Sequence, residues 1–158
     1  MSLKKILVTN INQIEPKHVS PNEIYEFDRY DVSGLLHENK CTVTFYSLSP
    51  GKSNYPYHYH TSNEEVFYII SGQGLLETPA GEISVKGGDV IVFPPCKDAA
   101  HRLKNSSENE MLVYLDVDTN NSPDVVIYPH TNKVGVFVNG EFPKFYKQDS
   151  NIPYYEDE

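Results

Sequence analysis

Val66-Phe67-Tyr68-Ile69-Ile70-Ser71-Gly72-Gln73-Gly74-Leu75-Leu76-Glu77-Thr78-Pro79-Ala80-Gly81 decides how the chain is read. A short apolar run stops at a glycine-rich turn. A second short run stops at Pro79-Ala80-Gly81. Runs of this length, rich in β-branched and aromatic residues and punctuated by Gly and Pro, are strands joined by tight turns. The same grammar extends on both sides. Upstream, Cys41 to Leu48 is a strand ended by Ser49-Pro50-Gly51. Downstream, Glu82-Ile83-Ser84-Val85 alternates before Lys86-Gly87-Gly88-Asp89. Val90 to Phe93 stops at Pro94-Pro95, His101 to Lys104 alternates, and Met111 to Val117 follows. Gly135 to Val138 is one more strand before Asn139-Gly140. The connections are too short for crossover helices, so parallel βαβ units are excluded. The expected fold class is all-β, an antiparallel barrel or jelly roll.

The flanks carry weaker signals. Residues 13 to 37 are expected to hold at most one helical turn, near Pro21-Asn22-Glu23-Ile24-Tyr25. With 158 residues the chain fits one domain, here divided into a barrel core of about 41–118 with extensions 1–40 and 119–158. Neither extension is apolar enough to bury a core alone.

Composition removes several functions. Thirteen Lys and Arg stand against 22 Asp and Glu, a net charge of −9. That field repels phosphate backbones and anionic lipid surfaces, so neither nucleic acid nor membrane is an expected partner. No apolar run is long enough to cross a bilayer. Lys4-Lys5 is not followed by the apolar stretch of a signal peptide. Cys41 and Cys96 form no metal or redox pair, which leaves a reducing cytoplasm as the expected location.

The chemistry lies among the histidines. His58-Tyr59-His60 places two imidazoles on one face of a strand. Alone, such a pair is surface decoration more often than a ligand pair. Its neighbours alter the balance: Tyr55, Pro56, Tyr57 and Tyr59 make an aromatic lead-in, and Glu64-Glu65 opens the apolar run. A carboxylate at the mouth of a buried strand requires a cation or a metal. Either Glu64 or Glu65 can fill that role, and His101 can supply a fourth donor. Three imidazoles and one carboxylate suit a divalent first-row metal.

The spacing now resembles a known family. Gly51, six residues, His58-Tyr59-His60, four residues, Glu65, six residues and Gly72 is similar to the first cupin signature. Gly88, five residues, Pro94, then His101, three residues and Asn105 is similar to the second. The wider wording, including Asp124 to Pro129 and the acidic ending from Tyr154 to Glu158, resembles small bacterial single-domain cupins of the conserved-barrel type. The resemblance implies a cupin double-stranded β-helix, or jelly-roll barrel, holding one metal. By position its ligands are His58, His60, Glu65 and His101. Glu64 then faces out or hydrogen-bonds a ligand histidine. Zinc, nickel, iron, manganese, cobalt and copper all accept this donor set. One departure stands out: Cys96 replaces a glycine, and the loop before His101 is two residues longer than usual. Cys96 reads as an inert turn residue.

Two functions are carried forward. The first is a metalloenzyme acting on a small polar, sugar-like or carboxylate/enol substrate beside the metal, with dioxygenation, decarboxylation, isomerisation and lyase chemistry all open. The second is a non-catalytic binding or sensing cupin, since one barrel hosts both uses. No Lys, Arg or Glu near the motifs stands out as an acid or base. His18, His37 and His130 are expected on the surface, as is Arg102. Tyr46, Phe67, Leu103 and Tyr114 can line the cavity, but the barrel core is the expected place for each. A homodimer is expected, with Ile6-Leu7-Val8 as a pairing strand.

Overall fold

Thirteen strands run through the computed structural model, which describes residues 6–35 and 39–156. In chain order they are β1 (Lys17–Asn22), β2 (Tyr25–Asp31), β3 (Cys41–Leu48), β4 (Tyr59–His60), β5 (Glu65–Ser71), β6 (Gln73–Thr78) and β7 (Gly81–Lys86). The series continues with β8 (Val90–Phe93), β9 (Arg102–Asn105), β10 (Leu112–Thr119), β11 (Asp124–Tyr128), β12 (Lys133–Phe137) and β13 (Lys144–Lys147). Among the described residues the named strands all pair antiparallel, as the short connections require, and only an isolated bridge from Tyr25 to Ser53 is parallel.

One sheet has six strands in the order β1-β2-β3-β10-β5-β8. The other layer is built from a four-stranded sheet, β13-β12-β11-β4, and a three-stranded sheet, β7-β6-β9. These two meet where His58 and His101 form an antiparallel bridge. Segments 1–40 and 119–158 therefore supply strands as well as connections: β1 and β2 extend the large sheet, and β11 to β13 make most of the four-stranded one.

Period-2 alternation decides which side chains face inward. Phe27, Tyr46, Leu48, Phe67, Ile69, Leu112 and Tyr114 on the large sheet pack against Leu76, Val85 and Leu103 on the three-stranded sheet. Tyr46 and Tyr114 stack at 5.2 Å, and Phe67 meets Phe93 edge-on at 4.9 Å. This apolar core fills one end of the space between the layers. Towards the four-stranded sheet the inward positions turn polar. Thr44 pairs with Asp116, and Thr42 pairs with Asp118, which in turn pairs with Glu65. A cavity of about 660 Å³ opens there.

One expectation is corrected. The segment from Pro21 to Tyr25 is no helical turn. It closes the β1–β2 hairpin, with Asn22 Oδ1 accepting from Ile24 N–H at 2.9 Å. Ile6 to Asn10 pair with no strand of the same chain, and Ile6 and Val8 are almost fully exposed. Short 3-10 turns occupy Ile11–Gln13 and Ser33–Leu35 instead. His37 lies outside the described residues.

Gly72 joins β5 to β6 with φ 86°, and a Cβ there would sit 2.4 Å from the Met111 carbonyl oxygen. Gly88 has φ 97° but open space around it. Gly72→Ala is expected to cost at least about 3 kcal/mol, and Gly88→Ala about 1–2 kcal/mol from backbone strain alone. Urea denaturation of both variants checks the ranking, and equal losses would refute it.

Candidate metal centre

Three of the four expected ligands, His58, Glu65 and His101, form one cluster, and His60 stands beside Glu65 without joining it. His58 and His101 are hydrogen-bonded cross-strand neighbours: His58 N–H donates to His101 O at 3.0 Å, and His101 N–H donates to His58 O at 2.8 Å. Directly opposed residues present their side chains on one face, and the two rings lie 4.8 Å apart. His60, two residues on, shares the face, with its ring 5.3 Å from that of His58. β4 is held in place by β11, where Tyr59 opposes Ile127 and His60 opposes Val126.

The longer loop before His101 does not displace it. After Pro94-Pro95 the chain folds into a 3-10 turn over Lys97–Ala99, which takes up the added length. Phe93 then stacks on the His101 ring at 3.6 Å and 18°. Cys96 is exposed on this loop, and Arg102 turns outward to Glu77 at 2.8 Å. His18 pairs with Asp28 on the surface, and His130 stacks on Tyr57 and contacts Glu77.

Glu65 opens β5 and points inward, whereas Glu64 is exposed. Oε2 of Glu65 lies 3.3 Å from His101 Nε2, 3.6 Å from His60 Nε2 and 4.0 Å from His58 Nε2. His58, Glu65 and His101 each offer a ligand atom within 4.8 Å of the others. The far side of each imidazole is occupied. Nδ1 of His58 faces Pro56 O at 2.8 Å, Nδ1 of His101 faces Ala99 O at 3.0 Å, and Nδ1 of His60 faces Asp124 Oδ2 at 2.5 Å. With backbone carbonyls at the Nδ1 of His58 and His101, the proton of these two imidazoles resides there and their Nε2 lone pairs point at Glu65. Its Oε2 is buried and has no hydrogen-bond partner.

Electrostatics follow from burial. Desolvation, then the neighbouring His60, lower the His58 imidazole to about 4. Desolvation and then His58 lower His101 as well. Burial also disfavours charge on His60, but the Asp124 hydrogen bond and the Glu65 charge outweigh it and raise this imidazole. The same contact outweighs desolvation at Asp124, lowering it. Burial raises Glu65, with the Asp118 charge adding to the shift. Two neutral imidazoles with aligned lone pairs and a buried carboxyl without a donor make a poor structural core and a good cation-binding site.

Several cavity-lining positions escape the sequence reading. Asp124 orients His60 and also accepts from Ser62 N–H and Asn63 Nδ2. Arg29, Asp116 and Asp118 line the same cavity as His58, His60 and Glu65. Tyr46 lines it too, besides its place in the core. On β10, Leu112, Tyr114 and Asp116 are buried while Val113, Leu115 and Val117 are only partly covered. Polar residues thus take the inward register. The signal was present, as acidic residues in phase with Leu112 and Tyr114, but the apolar phase hid it.

Residues 44–118 match the family profile of the cupin domain. The chain belongs to the cupin family. An uncharacterised protein of Methanocaldococcus jannaschii, MJ1618, is 30% identical to this cupin over 109 residues, 66% of this chain and 80% of that protein. A provisionally named sugar phosphate isomerase from Acidithiobacillus ferrooxidans superposes with a TM-score of 0.80 at 27% identity, covering 95% of this chain and 97% of its own. A cupin-superfamily sugar phosphate isomerase from Silicibacter pomeroyi superposes with a TM-score of 0.81 at 18% identity, over 91% and 94%. The second likeness shows the fold alone.

Without metal, the cupin keeps the Glu65 proton to higher pH than the unfolded chain does. The stabilisation linked to that proton is complete below 4.5 and is lost as pH rises through about 8. In the presence of a chelator, the urea midpoint of the wild type is therefore expected to fall across this interval more steeply than that of Glu65→Gln. Parallel curves for the two proteins would show that Glu65 carries no such linkage.

Proposed function

We propose that this cupin is a metalloenzyme, acting as a single domain, that holds one divalent transition metal through His58, His60, Glu65 and His101. The carrying observation is the meeting of three Nε2 atoms on a buried Glu65 oxygen that nothing else satisfies. The donor set fits the group: imidazoles and one carboxylate suit first-row divalent ions, zinc through manganese. When bound, the metal would supply a Lewis acid that polarises a substrate oxygen.

The chain's own residues then do the rest. Pro56 O, Ala99 O and Asp124 fix the imidazoles. Phe93 and Phe67 pack against His101, at 3.6 and 5.6 Å, and keep water from that side. The cavity beside Glu65 admits a molecule of sugar size. Its polar lining of Thr42, Thr44, Asp116 and Asp118 favours a hydroxylated substrate over an apolar one. The name given to the Acidithiobacillus ferrooxidans protein supports a carbohydrate-type substrate.

Association and location are part of this reading. Val90 and Val92 are 63% and 56% exposed on the edge strand β8, beside Tyr68 and Ile70 of β5. A homodimer covering this outer face of the large sheet fits that exposure. The unpaired, exposed Cys41 and Cys96 support a reducing cytoplasm.

Elemental analysis of protein purified without a metal-affinity column tests the centre. About one transition metal per chain is expected in the wild type and in Glu64→Ala. Loss is expected in His60→Ala and Glu65→Ala. Wild-type protein that stays metal-free after incubation with divalent ions would overturn the proposal. Asp124→Asn removes the carboxylate that orients His60. It should weaken metal affinity by about 10–100-fold without abolishing it, as read by competition with a chelating dye.

A further inference from the structure

Strand register lays three groups in a row across the inner face of the four-stranded sheet. Lys133 stands directly opposite Tyr128 across the β11–β12 pair, so both side chains share a face, and both line the cavity. The β11–β4 register, which sets His60 opposite Val126, brings Tyr128 up beside His58, with the two rings 5.9 Å apart. The Lys133 ammonium lies 4.4 Å from the centre of the Tyr128 ring and 5.3 Å from that of Phe145. The two steps through Tyr128 put this ammonium no more than about 10 Å from the centre of the His58 ring, the width of two strand spacings. A molecule of a few carbon atoms spans that gap.

The charge on Lys133 is uncompensated. A cation–π contact holds an ammonium but does not neutralise it. Among the described residues no carboxylate pairs with Lys133, although the chain carries a net charge of −9: both arginines pair with Asp31 and Glu77, and Lys144 pairs with Glu141. Lys147 opposes Lys133 across the β12–β13 pair, and like charges so placed are unfavourable without an anion near them. Lys147 donates to Thr131 O at 2.8 Å, whereas Lys133 faces the cavity. The acids on the lining do not answer this charge. Asp124 is held by His60, and Glu141 by Lys144 at 3.7 Å. Asp116 and Asp118 belong to the other sheet and hydrogen-bond each other, which requires that one of them carry the proton. An uncharged substrate would leave the ammonium as it stands, and a cationic one would be repelled.

We propose that Lys133 anchors the anionic group, a carboxylate or a phosphate, of a small substrate that lies across Tyr128 with its other end at Glu65 and the imidazoles. Tyr128 then serves as the floor between the two ends, and Lys133 sets the charge and the length of what the cavity accepts. This inference rests on the metal-centre reading for the position of the reacting end, though not for the ammonium contact itself.

Isothermal titration of the wild type, loaded with the metal found by elemental analysis and also metal-free, tests the anchor. D-glycerate, D-erythronate and D-ribonate supply carboxylates. Glycerol 3-phosphate, D-erythrose 4-phosphate and D-ribose 5-phosphate supply phosphates, and glycerol, erythritol and ribitol are the uncharged controls. Saturable binding of at least one anion is expected, with its uncharged counterpart weaker by about tenfold or more. The series that binds tells carboxylate from phosphate. Lys133→Met should weaken that anion by about tenfold, with metal content and urea midpoint close to wild type, and Lys133→Arg should retain most of the affinity. Lys144 is on the outer face of the same hairpin, since Phe145 beside it faces the cavity, and Lys144→Met should leave the affinity unchanged. An equal loss in Lys144→Met overturns the proposal. So does unchanged anion affinity in Lys133→Met, or an uncharged compound that binds as tightly as its anion. A loaded protein that binds none of the anions refutes the anchor and leaves the metal centre standing. A wild type that takes up no metal yet binds an anion through Lys133 refutes the metal centre and leaves the anchor standing.

Discussion

Two backbone hydrogen bonds between His58 and His101 tie the three-stranded sheet to the four-stranded one and bring two imidazoles together in the same act. Fold and site therefore share one constraint. If the pair were out of register by one residue, His101 would turn away from Glu65 and Arg102 would enter the interior, because side chains alternate along a strand. The stacked Phe93 ring and the 3-10 turn over Lys97–Ala99 guard that register from the loop side. Tyr59 and His60, paired with β11, guard it from the other.

The interior is consequently divided. At one end aromatic and aliphatic side chains pack as an ordinary core around Tyr114, Ile69 and Leu103. At the other, the same strands carry Thr42, Thr44, Asp116, Asp118 and Glu65 into a space that is not filled. Burial raises Asp116, with the Asp118 and Glu65 charges adding to it, and Asp118 is raised by burial too. Valines at those positions would pack at lower cost. Retaining acids there is a stability sacrifice of the kind found at functional sites rather than in structural cores.

Much of this was legible in the sequence, for identifiable reasons. Strand content followed from glycine and proline punctuation. His58 and His60 were readable because strand periodicity puts i and i+2 on one face. Glu65 was separable from Glu64 only through its spacing to Gly72, and the structure gives the cause: Glu65 is the first residue of β5 and faces inward. The hairpin at Pro21 to Tyr25 was misread because Pro, Asn and Glu serve helix starts and turns alike. Arg29 and Asp124 were invisible because they lie outside the motif segments. Only the sheet order β2-β3-β10-β5 and the β11–β4 pairing carry them to the cavity.

Asp124 shows why the tail of the chain belongs with the site. Its carboxylate holds His60 Nδ1, Ser62 N–H and Asn63 Nδ2 together. Asn63 Oδ1 in turn accepts from Thr119 and from Asn121 N–H, which ties the end of β10 to the turn after β4. The orientation of one imidazole thus depends on three separate segments, and no stretch of sequence contains the whole arrangement. Glu65 follows two residues after Asn63. The same network that aims His60 therefore also fixes where β5 begins, and with it the direction in which the Glu65 carboxyl points.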